Sequence, residues 1–252
     1  MDLGLTGLRA LVTGGTKGIG RACAEILAAE GADVAICARN AEEVEQTCRA
    51  LEATGAKAHG GAVDVADKAA LDAWVKGSAE ALGGIDLVVA NVSALASAMS
   101  EDAWRQGLEI DILHTTRTVE AAMPWLEQSK AASITIIASV SGRETSSASA
   151  YGAVKAALIH YAKGLAVELA PKGIRVNAVS PGTTYFEGGV WHKAELNAPE
   201  RYKAALARNP TGRMGRPEEI ARGVVFLASP ASSFTTGSNL VIDGALTRGV
   251  QY

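Results

Sequence analysis

Short apolar runs alternate with longer amphipathic segments along most of the chain. The short runs are rich in β-branched residues, bounded by Gly, Asp or Asn, and apolar at nearly every position, which is typical of strands buried on both faces. They comprise residues 8–13, 33–38, 57–63, 85–90, 133–138, 174–179 and 239–243. The helical patterns cover residues 18–30, 41–54, 67–82, about 102–128, 149–170 and 217–228. This alternation predicts a single α/β domain over residues 1–252, a doubly wound parallel sheet of about seven strands flanked by helices.

One stretch breaks the alternation. Residues 181–202 follow neither the strand period nor the helix period, and they hold Tyr185, Phe186 and Trp191. That is too much apolar surface for a solvated connector, and long irregular segments in compact domains often cover binding sites. We therefore predict a substrate-covering loop around residues 183–209.

Composition and charge narrow the function classes. The 252 residues carry a formal net charge of −3 and only 5% aromatic residues, so neither a basic nucleic-acid footprint nor a base-stacking surface is expected. No apolar stretch approaches the length of a membrane span, and the N-terminus lacks a signal-peptide pattern. The three cysteines, Cys23, Cys37 and Cys48, have neither the number nor the spacing of a disulfide framework or a metal site. We expect a cytoplasmic protein with no metal, no nucleic-acid partner and no membrane contact.

A glycine-rich segment, TGGTKGIG at residues 13–20, follows the first predicted strand and opens a helix. Gly14, Gly15, Gly18 and Gly20 form a G-x-x-x-G-x-G pattern, which permits a tight turn and a close approach of the backbone to a ligand. The N-terminus of the following helix then attracts a diphosphate. The alternative is a glycine-rich turn that binds nothing.

The ends of the second and third predicted strands indicate which dinucleotide binds. Ala38 stands where an acidic residue would bind the ribose hydroxyls, and Arg39 follows it. With Lys17 in the glycine loop, two cations and no acid favour a 2′-phosphate and therefore NADP(H), unless both are ordinary surface charges. Asp64, next to Val65, is placed either to accept a hydrogen bond from adenine or to close a turn, and both readings are equally good.

Tyr151 and Lys155 lie four residues apart in an otherwise apolar helical segment, so they share one helix face. A tyrosine at the edge of the core with a solvated lysine would have this spacing. So would a proton donor beside an ammonium that favours the phenolate. Ser139 ends the fifth predicted strand, at the edge where doubly wound sheets bind ligands, so its hydroxyl and that of Tyr151 can together hold a carbonyl oxygen.

Taken together, these motifs resemble those of the short-chain dehydrogenases/reductases, in the same order and spacing over essentially the whole chain. Each motif is weak alone, and the set is highly specific. The motifs that carry the resemblance are TGGTKGIG (13–20), DV (64–65), Asn91, IIASVSG (136–142), YGAVK (151–155), NAVSPG (177–182) and TGSNLVIDGA (236–245).

The resemblance implies a Rossmann-type fold and a homotetramer. It also implies that Tyr151 is the general acid, that Lys155 binds the nicotinamide ribose and promotes ionisation of Tyr151, and that Ser139 holds the substrate carbonyl. Pro181 and Gly182 would flank the nicotinamide. The cofactor-binding residues predicted from the motifs and the resemblance are Gly14, Thr16, Lys17, Gly18, Ile19, Gly20, Arg39, Asp64, Val65, Asn91, Tyr151, Lys155, Pro181, Gly182 and Thr184.

The sequence departs from the family pattern at three places. Ala94 replaces a glycine after the fourth strand. Asp111 stands where the family often has an asparagine that carries a water of the proton relay; we count Asp111 with the catalytic residues, although an Asp bound to nearby backbone is an equally good explanation. Thr183 and Thr184 follow the Pro-Gly pair at once, and Phe186 holds the usual place of the family's threonine.

The function predicted from these features is an NADP(H)-dependent oxidoreductase that transfers hydride reversibly between the nicotinamide and a ketone or secondary alcohol. The apolar residues of the predicted loop favour a small or medium hydrophobic substrate. One alternative is a 3-oxoacyl thioester reductase, although the few clustered cations do not suggest a docking face for a carrier protein. Another is a non-catalytic NADP-binding regulatory protein on the same fold. A third, alcohol oxidation with NAD, is disfavoured by Arg39.

Overall fold

The seven strands found in the described residues belong to one parallel sheet. The protein is described by a computed structural model that covers residues 2–145 and 148–250. The strands are β1 Arg9–Thr13, β2 Asp33–Ala38, β3 Ala58–Ala62, β4 Leu87–Ala90, β5 Ser133–Ile137, β6 Arg175–Pro181 and β7 Asn239–Ile242. Their order is β3-β2-β1-β4-β5-β6-β7, and every neighbouring pair is parallel. The predicted doubly wound sheet is confirmed, and its order reverses between β1 and β4, which is where such sheets form a ligand crevice.

Helices connect the strands and cover both faces of the sheet. They are α1 Gly18–Ala29, α2 Ala41–Glu52, α3 Lys68–Leu82, α4 Glu101–Gln106, α5 His114–Leu126, α6 Ala150–Leu169, α7 Val190–Asn197, α8 Pro199–Ala207 and α9 Pro217–Ala228. Local sequence explains two of their starts. The Asn40 side chain accepts from the Glu42 and Glu43 N–H groups of α2, and the Asp67 side chain accepts from the Ala70 N–H of α3. Gly83 ends α3 in the left-handed conformation, with φ of 81°.

Each face of the sheet has its own apolar core. On one face, Trp74 of α3, Val119 of α5 and Leu158 of α6 pack against the strands. On the other face, Leu27 of α1 and Val224 of α9 do so. The sheet is therefore buried on both sides, as the continuous apolar runs predicted. Within the described residues, no helix is long and apolar enough to cross a membrane.

The segment predicted as one helix over about 102–128 is interrupted. Residues Gly107–Leu113 form a π-helical stretch between α4 and α5. Amphipathic spacing does not distinguish a π-turn from an α-turn over so few residues, so the sequence pattern did not reveal it. The stretch carries Asp111.

The predicted loop around 183–209 contains two short helices, α7 and α8, so the prediction of an irregular segment was wrong there. Both helices have nine residues or fewer. Their side chains show little apolar periodicity, because almost none of them is buried. Such helices are marginal on their own and leave only a weak signal in the sequence.

Candidate active site

Tyr151 and Lys155 lie in the first two turns of α6, at the carboxyl edge of the sheet. The helix starts one residue earlier, where the Ser149 hydroxyl oxygen accepts from the Gly152 N–H at 3.0 Å. Tyr151 is half-buried, and the Lys155 ammonium lies 5.8 Å from the centre of its ring. Tyr151 and Lys155 are therefore neighbours on one face of the helix, as their four-residue spacing predicted, and the ammonium lies close to the phenol ring.

Lys155 is a buried charge with two strong partners. Its side chain is 2% exposed, and its Nζ donates to the Ile137 carbonyl oxygen at 2.9 Å. The same Nζ lies 3.0 Å from Asp111 Oδ1, and the other Asp111 oxygen accepts from the Ala94 N–H at 3.0 Å. An isolated buried ammonium is strongly unfavourable, so these two partners stabilise the Lys155 side chain at this buried position. Asp111 thus bonds to backbone, as one of its two explanations expected, and it also contacts Lys155 directly. Its part in a proton relay stays a prediction.

Ser139 follows β5 and is 6% exposed. Its Oγ accepts from the Ser141 N–H at 3.1 Å, a bond that leaves the hydroxyl proton available to a ligand. The turn after Ser139 packs directly on α6: a Cβ at Gly142 would lie 2.7 Å from the Ala156 nitrogen, and one at Gly152 would lie 2.9 Å from the Ser141 carbonyl oxygen. These two glycines, which the sequence analysis did not single out, allow Ser139 to approach the Tyr151 end of the helix.

The glycine loop is shaped for close backbone contacts. Gly14 has φ of 66°, and a Cβ there would lie 2.9 Å from the Val92 side chain. A Cβ at Gly20 would lie 2.5 Å from Asn91 Nδ2. The first turn of α1 has Gly18, Ile19 and Gly20 and no acidic side chain, so its backbone N–H groups remain suited to an anion. The donor set and the steric need for glycine fit the diphosphate of a dinucleotide.

Asn91 holds the glycine loop in place. Its side-chain nitrogen donates to the Thr13 carbonyl oxygen at 3.1 Å and to the Gly14 carbonyl oxygen at 3.3 Å. Its backbone N–H donates to Thr13 Oγ1 at 3.0 Å. The hydrogens of its side-chain amide and of its backbone N–H all bond to Thr13 or Gly14. Asn91 therefore supports a ligand by holding the loop in shape and not by donating to the ligand itself.

Phe186 packs on the same loop from the other side. Gly18 has φ of 53°, and a Cβ at this position would lie 2.7 Å from Phe186 Cζ. Gly18 therefore faces the ring of Phe186. In loops of this kind, a glycine at such a position lets the backbone approach a diphosphate.

The two cations assigned to a 2′-phosphate differ in their surroundings. The Lys17 ammonium forms an ion pair with Glu43 at 2.7 Å, and the Thr16 hydroxyl is 3.4 Å from the same carboxylate. Arg39, at the end of β2, is exposed, and its guanidinium pairs with no other residue in the described part of the chain. Arg39 is therefore the freer of the two cations.

Asp64 follows β3, and its Oδ1 accepts from the Ala66 N–H at 3.0 Å. This is the turn role that the sequence analysis held open, and it leaves the second carboxylate oxygen for another partner. Val65 beside it is 4% exposed and belongs to the core.

The end of β6 places the Pro-Gly pair beside β7. Pro181 is buried, and the Gly182 N–H donates to the Ile242 carbonyl oxygen at 2.9 Å. The Thr183 hydroxyl donates to Asn209 Oδ1 at 2.8 Å, and the Thr184 hydroxyl donates to the Gly182 carbonyl oxygen at 3.2 Å. Both threonine hydroxyls thus have protein partners.

The 183–209 segment is tied together mainly by contacts within itself. The Tyr185 hydroxyl donates to Glu195 Oε2, and this bond raises the pKa of Tyr185 to about 12. The Arg201 guanidinium lies 5.7 Å from the centre of the Trp191 ring. These side chains connect the start of the segment to α7, and α7 to α8.

One buried polar residue of this region was missed by the sequence analysis. His114 begins α5 and is completely buried, with its two ring nitrogens near Thr13 and Ile110. Nothing in the sequence separates it from a histidine packed in the core.

Comparisons with known proteins agree with this geometry. A family model described as enoyl-(acyl carrier protein) reductase matches residues 14–247. Isoepoxydon dehydrogenase patN of Aspergillus clavatus is 42% identical over 253 residues, which cover 98% of each chain. L-sorbose reductase from Gluconobacter frateurii, solved with NADPH and L-sorbose, has a TM-score of 0.91 and 29% identity, covering 99% of this chain and 100% of that one. A 7α-hydroxysteroid dehydrogenase, solved with NADH and 7-oxo glycochenodeoxycholic acid, has a TM-score of 0.89 and 26% identity, covering 97% of this chain and 96% of that one.

Proposed function

The chain belongs to the short-chain dehydrogenase/reductase family of oxidoreductases, and from this membership we propose that it transfers hydride reversibly between NADP(H) and a ketone or secondary alcohol. The observation that carries the proposal is the convergence of Ser139, Tyr151 and Lys155 at the edge of the sheet that also bears the glycine loop.

The residues of the chain account for the proton side of the reaction. Tyr151 donates a proton to the carbonyl oxygen during reduction and accepts it during oxidation. Ser139 donates a hydrogen bond to the same oxygen with the proton that its bond to Ser141 leaves free. The Lys155 ammonium, 5.8 Å from the centre of the Tyr151 ring, is close enough to attract the negative charge that develops on the phenol oxygen during the proton transfer. The nicotinamide, when bound, supplies or accepts the hydride.

We assign the dinucleotide to the crevice between β1 and β4. The first-turn N–H groups of α1, at Gly18, Ile19 and Gly20, would bind the diphosphate, and Pro181 and Gly182 would lie beside the nicotinamide. The substrate would then lie between Tyr151 and the 183–209 segment, which we propose covers it.

Asp111 acts through Lys155 in this proposal. Its carboxylate contacts the ammonium directly, at 3.0 Å, where the family often has an asparagine that carries a water. It is therefore a positioning residue that fixes the charge and the place of Lys155, and we do not assign it a contact with the substrate.

The preference for NADP(H) over NAD(H) rests on Arg39. An exposed guanidinium at the end of β2, with no acidic side chain at Ala38, suits a 2′-phosphate and offers no acceptor for ribose hydroxyls. The two structural relatives described above were solved with NADPH and with NADH, so the fold accepts either dinucleotide.

A 3-oxoacyl thioester is the second candidate substrate. A relative favours it: the 3-oxoacyl-acyl-carrier-protein reductase FabG of Vibrio cholerae is 33% identical to this chain over 249 residues. The relatives named isoepoxydon dehydrogenase and L-sorbose reductase, whose names give no acyl thioester as substrate, favour the first candidate.

The test is a spectrophotometric screen of NADPH and NADH consumption against a panel of ketones that includes a 3-oxoacyl thioester. Turnover with NADPH that is lost in Tyr151→Phe and kept in Tyr161→Phe, a control at a second tyrosine of α6, would support the proposal. Tight NADPH binding without turnover on the whole panel would favour the non-catalytic nucleotide-binding alternative. Turnover restricted to the thioester would favour the second candidate. The homotetramer and the cytoplasmic location stay predictions.

A further inference from the structure

The His114 ring has a defined tautomer. Its Nδ1 lies 3.1 Å from the Ile110 carbonyl oxygen, and its Nε2 lies 2.9 Å from Thr13 Oγ1. Because a carbonyl oxygen only accepts, Nδ1 carries the proton, and Nε2 accepts from the Thr13 hydroxyl. Burial, followed by the nearby charge of Lys155, lowers the pKa of His114 to about 4, so the ring is neutral at physiological pH.

The Thr13 hydroxyl connects His114 to the segment after β4. While it donates to His114, it accepts from the Asn91 N–H at 3.0 Å. Three residues further along the chain, the Ala94 N–H donates to Asp111 Oδ2. Asp111 in turn precedes His114 by one turn. Thr13, Asn91, Ala94, Asp111 and His114 thus form a closed ring of hydrogen bonds and short chain segments, which we name the polar ring.

The polar ring has the glycine loop on one side and Lys155 on the other. Thr13 leads directly into Gly14, and Asp111 provides the carboxylate that faces the Lys155 ammonium. Asp111 and His114 are both completely buried, so no member of this pair can exchange its protein partner for water without a rearrangement. Thr13 is therefore connected to Asp111 by two routes, by way of His114 and by way of residues 91–94.

We infer that His114 is a positioning residue that holds the glycine loop, residues 91–94 and the Asp111 carboxylate in a single arrangement, and so couples dinucleotide binding to the placement of Lys155. This inference rests on the proposed function. It assigns a role to His114, a residue that neither touches the substrate nor belongs to the motifs that identified the family.

The experiment is a double-mutant cycle with His114→Leu and Thr13→Val. Both changes remove the bond between His114 and Thr13, and Thr13→Val also removes the acceptor of the Asn91 N–H. For each variant, the Kd for NADPH is measured by fluorescence titration, kcat is measured at saturating NADPH, and Tm is recorded. Because each single change removes at least one buried hydrogen bond, each is expected to weaken NADPH binding or to lower kcat by about tenfold or more. The double variant is expected to be no worse than the worse single variant, because the ring is already open.

Two further variants separate positioning from simple loss of stability. Thr118→Val removes an equally buried threonine hydroxyl one turn further along α5, whose bond goes only to the His114 carbonyl oxygen. It is expected to lower Tm and to leave the Kd for NADPH and kcat unchanged. Thr13→Ser keeps the hydroxyl and is expected to restore both constants.

The outcomes distinguish the inference from the proposed function. Additive losses in the double variant, or a Thr118→Val variant as impaired in Kd and kcat as His114→Leu, would overturn the inference. If His114→Leu does not fold, the pair Thr13→Val and Thr13→Ser decides, since equal constants in the two would overturn it as well. Wild-type protein that binds neither NADPH nor NADH would contradict the proposed function, and the inference would fall with it.

Discussion

The candidate active site and the 183–209 segment occupy the same edge of the sheet and are built in different ways. In the active site, Ser139, Asp111 and Lys155 are almost completely buried, and their polar atoms bond to backbone and to one another. In α7 and α8, both of which lie within the described residues, Ala194 is the one buried side chain. The segment is joined by contacts among its own exposed and half-exposed residues.

The difference in burial indicates that the two regions tolerate substitution to different degrees. Buried polar groups are costly unless every partner is in place, so the arrangement around Lys155 tolerates little change. Exposed contacts each contribute little, so residues of the 183–209 segment can be exchanged without loss of the fold. The chemistry is therefore expected to depend on the buried part, and the choice of substrate on the segment that covers it.

The largest effect is expected from Asp111→Leu. The change leaves the Lys155 ammonium buried without a counter-ion, which lowers the free energy of unfolding by about 3 kcal/mol or more. Urea unfolding at pH 7 measures this loss. The matched control is Glu43→Gln, which breaks the exposed Lys17–Glu43 ion pair and is expected to cost less than about 1 kcal/mol. Equal losses in the two variants would remove the distinction between buried and exposed regions.

The next effect concerns the buried region, where His114 is expected to make the stability of the protein fall as the pH is lowered. The folded protein holds the pKa of His114 at about 4, below its ordinary 6.5, so an unfolded chain takes up a proton that the folded chain refuses. The free energy of unfolding therefore has its full value above about pH 6.5. It falls by about 3 kcal/mol as the pH is lowered from about 6.5 to about 4. Urea unfolding between pH 7 and pH 4 is expected to show this additional loss in wild type and not in His114→Gln. Parallel pH profiles would mean that His114 titrates normally.

Arg39→Asp tests the assignment of this exposed residue, at the end of β2, to the 2′-phosphate of NADP(H). Loss of a charge-assisted hydrogen bond to the 2′-phosphate, together with a new ribose acceptor, is expected to weaken NADPH binding by about tenfold and to improve the relative use of NADH. The ratio of kcat/KM for the two dinucleotides is the measurement. Lys76→Asp, which makes the same charge change on the exposed side of α3, serves as control. An unchanged ratio in Arg39→Asp would contradict the phosphate assignment.

The smallest effect is expected within the 183–209 segment. Tyr185→Phe removes the donor to Glu195 and keeps the ring, so KM for the carbonyl substrate is expected to rise by about threefold while the Kd for NADPH stays the same. Tyr202→Phe, in the tyrosine whose ring lies 6.1 Å from that of Tyr185, is the control and is expected to change neither constant. A large loss of kcat in Tyr185→Phe would place the segment within the catalytic arrangement and break the comparison.

The strand pattern, the glycine loop and the Tyr151–Lys155 spacing were available from local sequence. Each depends on residues a few positions apart: apolar runs for buried strands, glycines at the start of α1, and a four-residue spacing on one helix. The parallel sheet follows from the alternation of strands and helices, because right-handed crossovers leave few other arrangements. The roles expected of Ser139 and of the Pro181–Gly182 pair came from short motifs as well, through the resemblance to the family.

Other features depend on contacts between residues far apart in the chain. The sequence left open whether Asp111 serves a proton relay or bonds to nearby backbone. It did not reveal the contact with Lys155, which depends on the packing of the π-helical stretch against α6. The role of His114 required the end of β1 to lie beside α5, and the two short helices of the 183–209 segment left no periodic signal because they bury almost nothing. Local sequence thus specified the elements and the reactive side chains. Long-range packing determined which charges are buried together, because desolvation and pairing are properties of the folded protein and not of any one segment.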